Sequence, residues 1–391
     1  MQAATVMIVT GEASGDVHGA NLVKAMRNQD PALGFVGMGG EEMAAAGVRL
    51  LYDAARISVV GVAEVVAHLG DILKAQRVLK QYLLDHRPQL LIIIDLPDFN
   101  LLLAKFAKKL GIRVFYYICP QVWAWRSGRV KTIRRRVDIC GVILPFEEQF
   151  LRQRGVAATY VGHPLLDSVS VSCNRDEFRQ LHGIEKNRRC IGLLPGSRKR
   201  EVAMLLPVFL AAARQLQRRC PERLCFLLPQ ASTISDDDLK QAGLGCGSEQ
   251  SELDIHTIKG DRYNLMAACD GAVAASGTVT LELAILAVPM VVTYRLAPLT
   301  YRLGRLLVDL DYFSLVNLIA GSEVVPELLQ DQVTAEAIAG HLQNVLFNRQ
   351  KRAAQLAGIA RVRQQLGSGG ASDRAARLAI RILQQERCHG R

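Results

Sequence analysis

Residues 268–294, ACDGAVAASGTVTLELAILAVPMVVTY, decide how the rest of the chain is read. Gly271 to Ala275 is a run of small apolar residues that suits a strand buried on both faces, and Ser276-Gly277-Thr278 follows it as a tight turn. Residues 278–287 then carry helical periodicity, Pro289 stops the helix, and Met290 to Tyr294 reads as a second buried strand. The result is a β-α-β unit with a glycine turn at the mouth of its helix. The first-turn N–H groups of such a helix are unpaired and carry partial positive charge, which suits a pyrophosphate. Glu282 stands one turn in, on the face of Thr278, where its carboxylate can accept hydrogen bonds from two ribose hydroxyls. The same letters also fit a helix with a Ser/Thr cap and one solvated glutamate.

Working outward, the pattern repeats on both sides. Strands are predicted at 6–10, 35–38, 90–95, 114–119, 139–144 and 159–162, with helices at 17–28, 62–84, 100–110 and 147–154. Residues 167–186 are polar and irregular and read as a linker. A second series follows, with strands at 190–194, 224–228, 255–259, 271–275 and 290–293 and helices at 202–219, 262–268 and 278–287. From 333 to 385 the chain is helical and strand-free, broken at Gly367-Ser-Gly-Gly. Continuous apolar strands between amphipathic helices predict parallel sheets covered on both faces, with ligands at the carboxyl ends of the strands. A chain of 391 residues exceeds what one core supports, so two such α/β domains are expected, at 1–170 and 187–350, with a helical tail at 351–391.

Lys and Arg outnumber Asp and Glu by 48 to 37, a net charge of +11 that favours an anionic partner. Nucleic acid is set aside because no nucleic-acid module is present. The nine cysteines form no CxxC pair and no His–Cys cluster at zinc spacing, which predicts a reducing compartment and no metal site. No basic n-region precedes the first strand and no apolar run reaches the ~18 residues of a membrane span. A cytoplasmic protein is therefore expected.

Four stretches carry candidate chemistry. Gly11-Glu-Ala-Ser-Gly-Asp16 follows the first strand as a small loop that lets a substrate approach the backbone; Glu12 is expected to point into the cleft and Asp16 reads as an N-cap. It is not a GxGxxG fingerprint. Leu91-Ile-Ile-Ile-Asp-Leu-Pro-Asp-Phe-Asn100 puts Asp95 at the end of a buried strand, where desolvation raises a carboxyl toward the range of a general base, while Asp98 reads as a cap. The stretch 116–126, YYICPQVWAWR, holds both tryptophans beside a proline, as one wall of an acceptor pocket would, and Arg126 to Arg136 adds six cations. A solvated helix face would carry the same charges. Leu194-Pro-Gly-Ser-Arg198 again joins strand to helix: Gly196 and Ser197 offer backbone N–H groups and Arg198 a bidentate phosphate contact, without Walker spacing. Asp236-Asp-Asp238 reads as an acidic helix start and Asp309-Leu-Asp311 as a loop, so neither is expected to hold a metal. His163 is assigned a structural role at the end of the first half. The apolar stripe of 62–83 predicts core packing, whereas Ile57, Val59 and Val60 fall outside it and read as a lipid-facing surplus.

Taken together, GEASGD, IDLPDFN, CPQVWAWR, PFE (145–147), VGHPLLD, LLPGSR, SGTVTLE, PMVVTYR, NLI (317–319) and VPELLQ, in this order across nearly the whole chain, resemble the lipid-A-disaccharide synthases. The resemblance implies a GT-B fold, two Rossmann-like domains facing a cleft with a helical C-terminal tail. It implies an inverting glycosyltransferase that joins UDP-2,3-diacylglucosamine to 2,3-diacylglucosamine 1-phosphate through a β-1,6 linkage and releases UDP. It also implies no metal and no other cofactor, a homodimer with exchanged C-terminal helices, and peripheral association with the inner membrane. By the same resemblance Asp95, Glu12 and Arg198 are the catalytic candidates. The substrate-binding candidates are Gly11, Ser14, Asp98, Asn100, Trp123, Trp125, Arg126, Gly196, Ser197, Ser276, Gly277, Thr278, Glu282 and Asn317. Two rivals stay open: another nucleotide-sugar enzyme of this fold, such as a UDP-N-acetylglucosamine 2-epimerase, and a non-catalytic UDP-sugar sensor at the membrane.

Overall fold

Leu90–Ile94, five residues with no exposed surface, is the middle strand of a seven-stranded sheet. A strand without a solvent face has to be apolar at every position, which is why its sequence shows no alternation. The structure, a computed structural model, describes residues 4–57, 69–123, 128–245, 253–296 and 311–389, with side chains to 385. It divides into two compact units, Met1–Asp167 with Ser368–Arg391, and Ser168–Gly367.

The first unit runs β1 (Thr5–Val9), α1 (Ala13–Gln29), β2 (Gly34–Gly39), α2 (Glu41–Ala45), β3 (Arg49–Asp53), α3 (Leu69–His86), β4 (Leu90–Ile94), α4 (Pro97–Lys109), β5 (Arg113–Tyr117), α5 (Arg129–Arg136), β6 (Ile139–Val142), α6 (Pro145–Arg152) and β7 (Ala158–Tyr160). All its ladders are parallel, in the order β3-β2-β1-β4-β5-β6-β7. Alternate strand residues serve opposite cores. Met7, Val9, Leu91 and Ile93 meet Leu79, Leu83 and Leu103 on one face; Val6, Ile8, Leu90 and Ile92 meet Leu22, Met26, Ala375 and Ala379 on the other. The winding reverses between β1 and β4, so the loops after those two strands open at a switch point.

The second unit follows the short α7 (Leu165–Ser168) with α8 (Arg175–Leu181), β8 (Cys190–Leu194), α9 (Lys199–Arg219), β9 (Cys225–Gln230), α10 (Asp236–Gln241), β10 (Asp254–Lys259), α11 (Arg262–Ala268), β11 (Gly271–Ala275), α12 (Thr278–Ile285), β12 (Met290–Tyr294), α13 (Leu315–Ala320), β13 (Glu327–Leu329), α14 (Ala335–Phe347) and α15 (Arg349–Leu366). Its sheet is also parallel, ordered β10-β9-β8-β11-β12-β13. Here the winding reverses between β8 and β11, the strands that precede LPGSR and SGT.

Several expectations change. The β-α-β reading of 271–294 stands, but β3 and β13 are additional strands: one is a half-exposed edge and the other three residues long, so neither shows an apolar run. The predicted linker is ordered. Asn174 caps α8, accepting from Asp176 N and Glu177 N at 3.0 Å each, and Asn264 ties residues 172 and 173 to the second unit. The helical tail is not one body. α15 stays with the second unit, whereas the last helix, α16 (Ala371–His389), packs on α1 in the first. Asp167 accepts from Gly370 N and Ala371 N, and Arg374 Nε donates to Val161 O at 2.7 Å, which fixes where α16 starts. Ile57 is 3% exposed inside the core around Leu79 and Leu83, so it is not lipid-facing; Val59 and Val60 lie outside the described residues. Among the described residues no helix is long and apolar enough to cross a membrane.

Candidate active site

Immediately after β4, Asp95 and Leu96 both enter the left-handed region, at φ +49° and +43°. Neither is glycine, so the turn costs on the order of 1–3 kcal/mol per residue and has to be held by its surroundings. Asn100, fully buried, donates from Nδ2 to Ile94 O at 2.9 Å and to Asp95 O at 2.8 Å. The Tyr116 hydroxyl donates to the same Asp95 carbonyl at 2.8 Å. With its backbone pinned, Asp95 faces the turn after β1. A Cβ on Gly15 would collide with Thr10 Oγ1 and stand 3.5 Å from Asp95 Oδ2, and one on Gly11 would collide with Leu96. The two glycines of GEASGD thus let one switch-point turn lie against the other. Burial raises the Asp95 carboxyl to about 7, and the charge of Glu12 pushes it the same way. A carboxyl in that range can take up a proton at neutral pH.

The other candidates of the first unit have partners of their own. α1 begins at Ala13, so Ser14 and Asp16 are helical and Glu12 takes the N-cap position without a side-chain cap bond. Asp16 is a cap, but of α2: its buried carboxylate accepts from Gly40 N (2.6 Å), Glu42 N (3.0 Å) and Met43 N (3.2 Å). Asp98 sits in the first turn of α4 without capping it and pairs with Arg129. Asn100 reaches the backbone of Asp95, which makes it a positioning residue rather than a substrate contact. Trp123 donates from Nε1 to Glu147 Oε1 at 2.9 Å and stands edge-on to Phe146 at 5.0 Å. Glu147, which sequence reasoning did not single out for a role, is buried, accepts from Leu144 N at 3.0 Å, and has its carboxyl raised to about 7 by burial. A glutamate at the first turn of a helix is the ordinary sign of a cap, so its hold on the indole had no sequence signal. His163 is buried, with Nδ1 accepting from Leu165 N at 3.2 Å; burial and then His18 lower it to about 4. Trp125 and Arg126 lie outside the described residues.

In the second unit the two loops at the switch point share a cavity of about 1020 Å³. Its lining includes Gly196, Ser197, Arg198, Arg262, Ser276, Gly277, Thr278 and Glu282. Gly196 adopts φ +107°, and Glu201 occupies the space a Cβ would need. Arg198 pairs with Glu201 at 3.1 Å, yet its side chain is 72% exposed, so this screened pair holds the guanidinium only loosely. Gly277 is the N-cap of α12 and no side chain caps that helix. Ser276 Oγ donates to Phe313 O at 3.3 Å, and Thr278 and Val279, whose N–H groups open α12, line the cavity, while Thr280 N turns back to Gly277 O at 3.1 Å. Glu282, 4% exposed, is not a solvated residue. Arg262 Nη2 lies 2.8 Å from its Oε1 and the Tyr263 hydroxyl 3.4 Å, and burial raises its carboxyl against the pull of Arg262. Asn317 does not belong to this cavity. It is fully buried; Nδ2 donates to Val325 O and Glu327 Oε1, and Oδ1 accepts from Val324 N and Val325 N, so all its capacity is spent internally. Ser235 caps the Asp236–Asp238 helix start, as expected of an acidic first turn, and Asp309 is outside the described residues.

Both of these loop pairs fall within the match to one family model, Lipid-A-disaccharide synthetase, over residues 6–380. The chain belongs to the lipid-A-disaccharide synthase family. Relatives of that name are 47% identical in Geobacter metallireducens, over 98% of both chains, and 44% identical in Nitrosococcus oceani, over 97% of both. In fold it is similar to the UDP-GlcNAc 2-epimerase of Neisseria meningitidis (TM-score 0.61, 11% identity, 97% of this chain and 100% of that one). It is similar likewise to Acinetobacter baumannii MurG (TM-score 0.59, 15% identity, 97% and 99%). As a member of the synthase family it is a glycosyltransferase that forms the lipid A disaccharide, built on the GT-B fold of two parallel-sheet α/β domains with C-terminal helices. Epimerase likeness extends to the fold alone. Within this synthase, GEASGD and IDLPDFN meet at one switch point and LPGSR and SGTVTLE at the other, whereas Arg262 is a cavity residue that no motif reading found.

Proposed function

We propose that the chain transfers 2,3-diacylglucosamine from its UDP donor to the 6-hydroxyl of 2,3-diacylglucosamine 1-phosphate, with inversion, to give the β-1,6-linked disaccharide 1-phosphate and UDP. Asp95 carries this reading: a buried carboxyl raised to about 7 on a rigid turn at a switch point. It accepts the 6-hydroxyl proton as that oxygen bonds to the anomeric carbon. The bond from the anomeric carbon to the diphosphate oxygen breaks on the opposite face, and its electron pair leaves with UDP. Glu12 keeps Asp95 basic. In the second unit the N–H groups of Gly196, Ser197 and the first turn of α12, with Arg198, offset the charge developing on the leaving diphosphate. These groups replace a divalent ion, so the rate should not respond to added Mg²⁺. Arg262 and Tyr263 both address Oε1 of Glu282, which offers Oε2 to a ribose hydroxyl. Trp123, held by Glu147, is an apolar wall for the acceptor.

Both substrates carry acyl chains, so we infer that the first unit works at the cytoplasmic surface of the inner membrane. α3, α4 and α5 lie side by side on that unit. They leave Leu69, Leu73, Leu84 and Leu102 exposed among Lys74, Arg77, Lys105, Lys131, Arg134 and Arg135. Apolar side chains ringed by cations suit an anionic lipid interface. The break at Gly367–Gly370 would let α16 cover the same face of a second copy, which makes a homodimer the expected assembly. The deciding experiment supplies both lipid substrates to purified protein and reads the products by mass and anomeric configuration. An inverted β-1,6 disaccharide with UDP is expected; epimerised UDP-sugar, or UDP-sugar binding without turnover, would overturn the reading.

A further inference from the structure

β8, β9 and β10 begin side by side at the amino edge of the second unit's sheet. Their ladders set Cys190 opposite Cys225 and Cys225 opposite Asp254. Residues paired across parallel strands point to one face, and His256, two residues beyond Asp254, points there too. The intervening Ile191, Phe226 and Ile255 pack into the core on the other face, which fixes the assignment. Cys225 Sγ, a carboxylate oxygen of Asp254 and a ring nitrogen of His256 lie within 4.8 Å of one another. Cys190, one strand further along the ladder, has its Sγ 3.8 Å from Arg188 O and stands beside this group. Both cysteines are fully buried, whereas Asp254 and His256 are 22% and 26% exposed, so the group has a dry floor and an open mouth. It lies at the opposite end of the strands from the donor cavity.

We propose that Cys225, Asp254 and His256 bind one thiophilic divalent cation of the zinc class, with water as the fourth ligand. One sulfur, one imidazole nitrogen, one carboxylate oxygen and a water make a tetrahedral set for such an ion. On binding, the Cys225 thiol loses its proton to solvent and His256 ligates as the neutral ring, so no oxidant or reductant takes part. The 3.0 Å contact between His256 Nε2 and Asp254 Oδ1 is exchanged for two bonds to the ion. One thiolate and one carboxylate balance the charge of a divalent ion. Arg188, which holds Asp254 Oδ2, turns Oδ1 toward the cluster, as an outer partner of a metal ligand does. The ion would clamp the starts of two strands, β9 and β10, and act on stability rather than on sugar transfer.

The test uses the full chain, reduced and freed of metal, titrated with Co²⁺. The expected result is about one cobalt per chain, a thiolate-to-cobalt charge-transfer band with tetrahedral d–d bands, displacement by Zn²⁺, and a Tm raised by the metal. Cys225→Ser and His256→Ala, each first shown by circular dichroism to fold, should lose the band or bind ~100-fold more weakly, at or beyond the cost of losing an outer partner. His256 is half-buried and serves if the cysteine variant does not fold. UDP affinity should be unchanged throughout. A reduced wild-type chain without the charge-transfer band, or a band that appears in the folded variants at the wild-type cobalt affinity, would overturn the proposal.

Discussion

Asp95 owes its position to its backbone and its basicity to its burial. Replacing it by Asn changes the volume little, so turnover should fall by a factor on the order of 100 or more while UDP affinity by calorimetry stays put. Near-wild-type turnover would end its role as base. The rate should rise with pH and level off above about 7. Because the Glu12 charge contributes to that value, Glu12→Gln should shift the break to lower pH, and an unmoved break would show that Glu12 does not act on Asp95. Stability carries the opposite sign. With a carboxyl at about 7 in the folded chain against 3.8 ordinarily, the folded state binds the proton more tightly than the unfolded one. The stability this confers is complete below pH ~4 and is lost as pH rises to about 7, by up to about 1.4 kcal/mol per unit. Urea midpoints at about pH 5 and 8 should therefore show Asp95→Asn gaining on wild type at the higher pH. In the second unit, Glu282→Ala and Arg198→Ala should each weaken UDP about tenfold or more, on the ribose and phosphate sides; unchanged calorimetric affinity for both would move the donor elsewhere.

At the scale of elements, the cap of α2 is borrowed from α1. Asp16 satisfies three N–H groups that α2 cannot pair itself. Asp16→Ala should cost about 2–4 kcal/mol in urea unfolding, since it strands those donors in a buried place, and a loss under ~0.5 kcal/mol would mean water replaces the carboxylate at no cost. The face made by α3, α4 and α5 is the second test. Changing Leu69, Leu73 and Leu102 to Ser removes exposed apolar surface, so folding and UDP binding should persist while sedimentation with anionic vesicles falls several-fold. If the variant sediments as wild type does, that face is not the lipid contact. Ile57, assigned to such a surface by its place outside the apolar stripe, is instead core, because the helical period could not show that the 3-10 turn Ala54–Arg56 rolls it under α3.

At the scale of the whole molecule, the tail shows how an ordered chain can divide. Gly367 to Gly370 separates α15 in one unit from α16 in the other. α16 completes the apolar cover over Val6, Ile8 and Ile92 on its side of the first sheet. Light scattering should give the mass of two chains; a monomer at micromolar concentration would remove α16 exchange from the account.

The class of the fold and the order of most elements were legible in the letters alone, because a strand buried on both faces must be apolar throughout and a covering helix must repeat its apolar residues every three to four positions. The same patterns placed Asp95, LPGSR and SGT at strand ends, where backbone N–H groups and side chains have no ladder to occupy them. Which strands lie beside one another emerged only in three dimensions. That adjacency brought GEASGD against IDLPDFN, set Arg262 on Glu282 and buried Asn317 in a closed set of hydrogen bonds. It also aligned Cys190, Cys225 and Asp254 across three strands. Most of these contacts depend on partners far along the chain, and a side chain's burial and charge are properties of those partners rather than of its own local pattern.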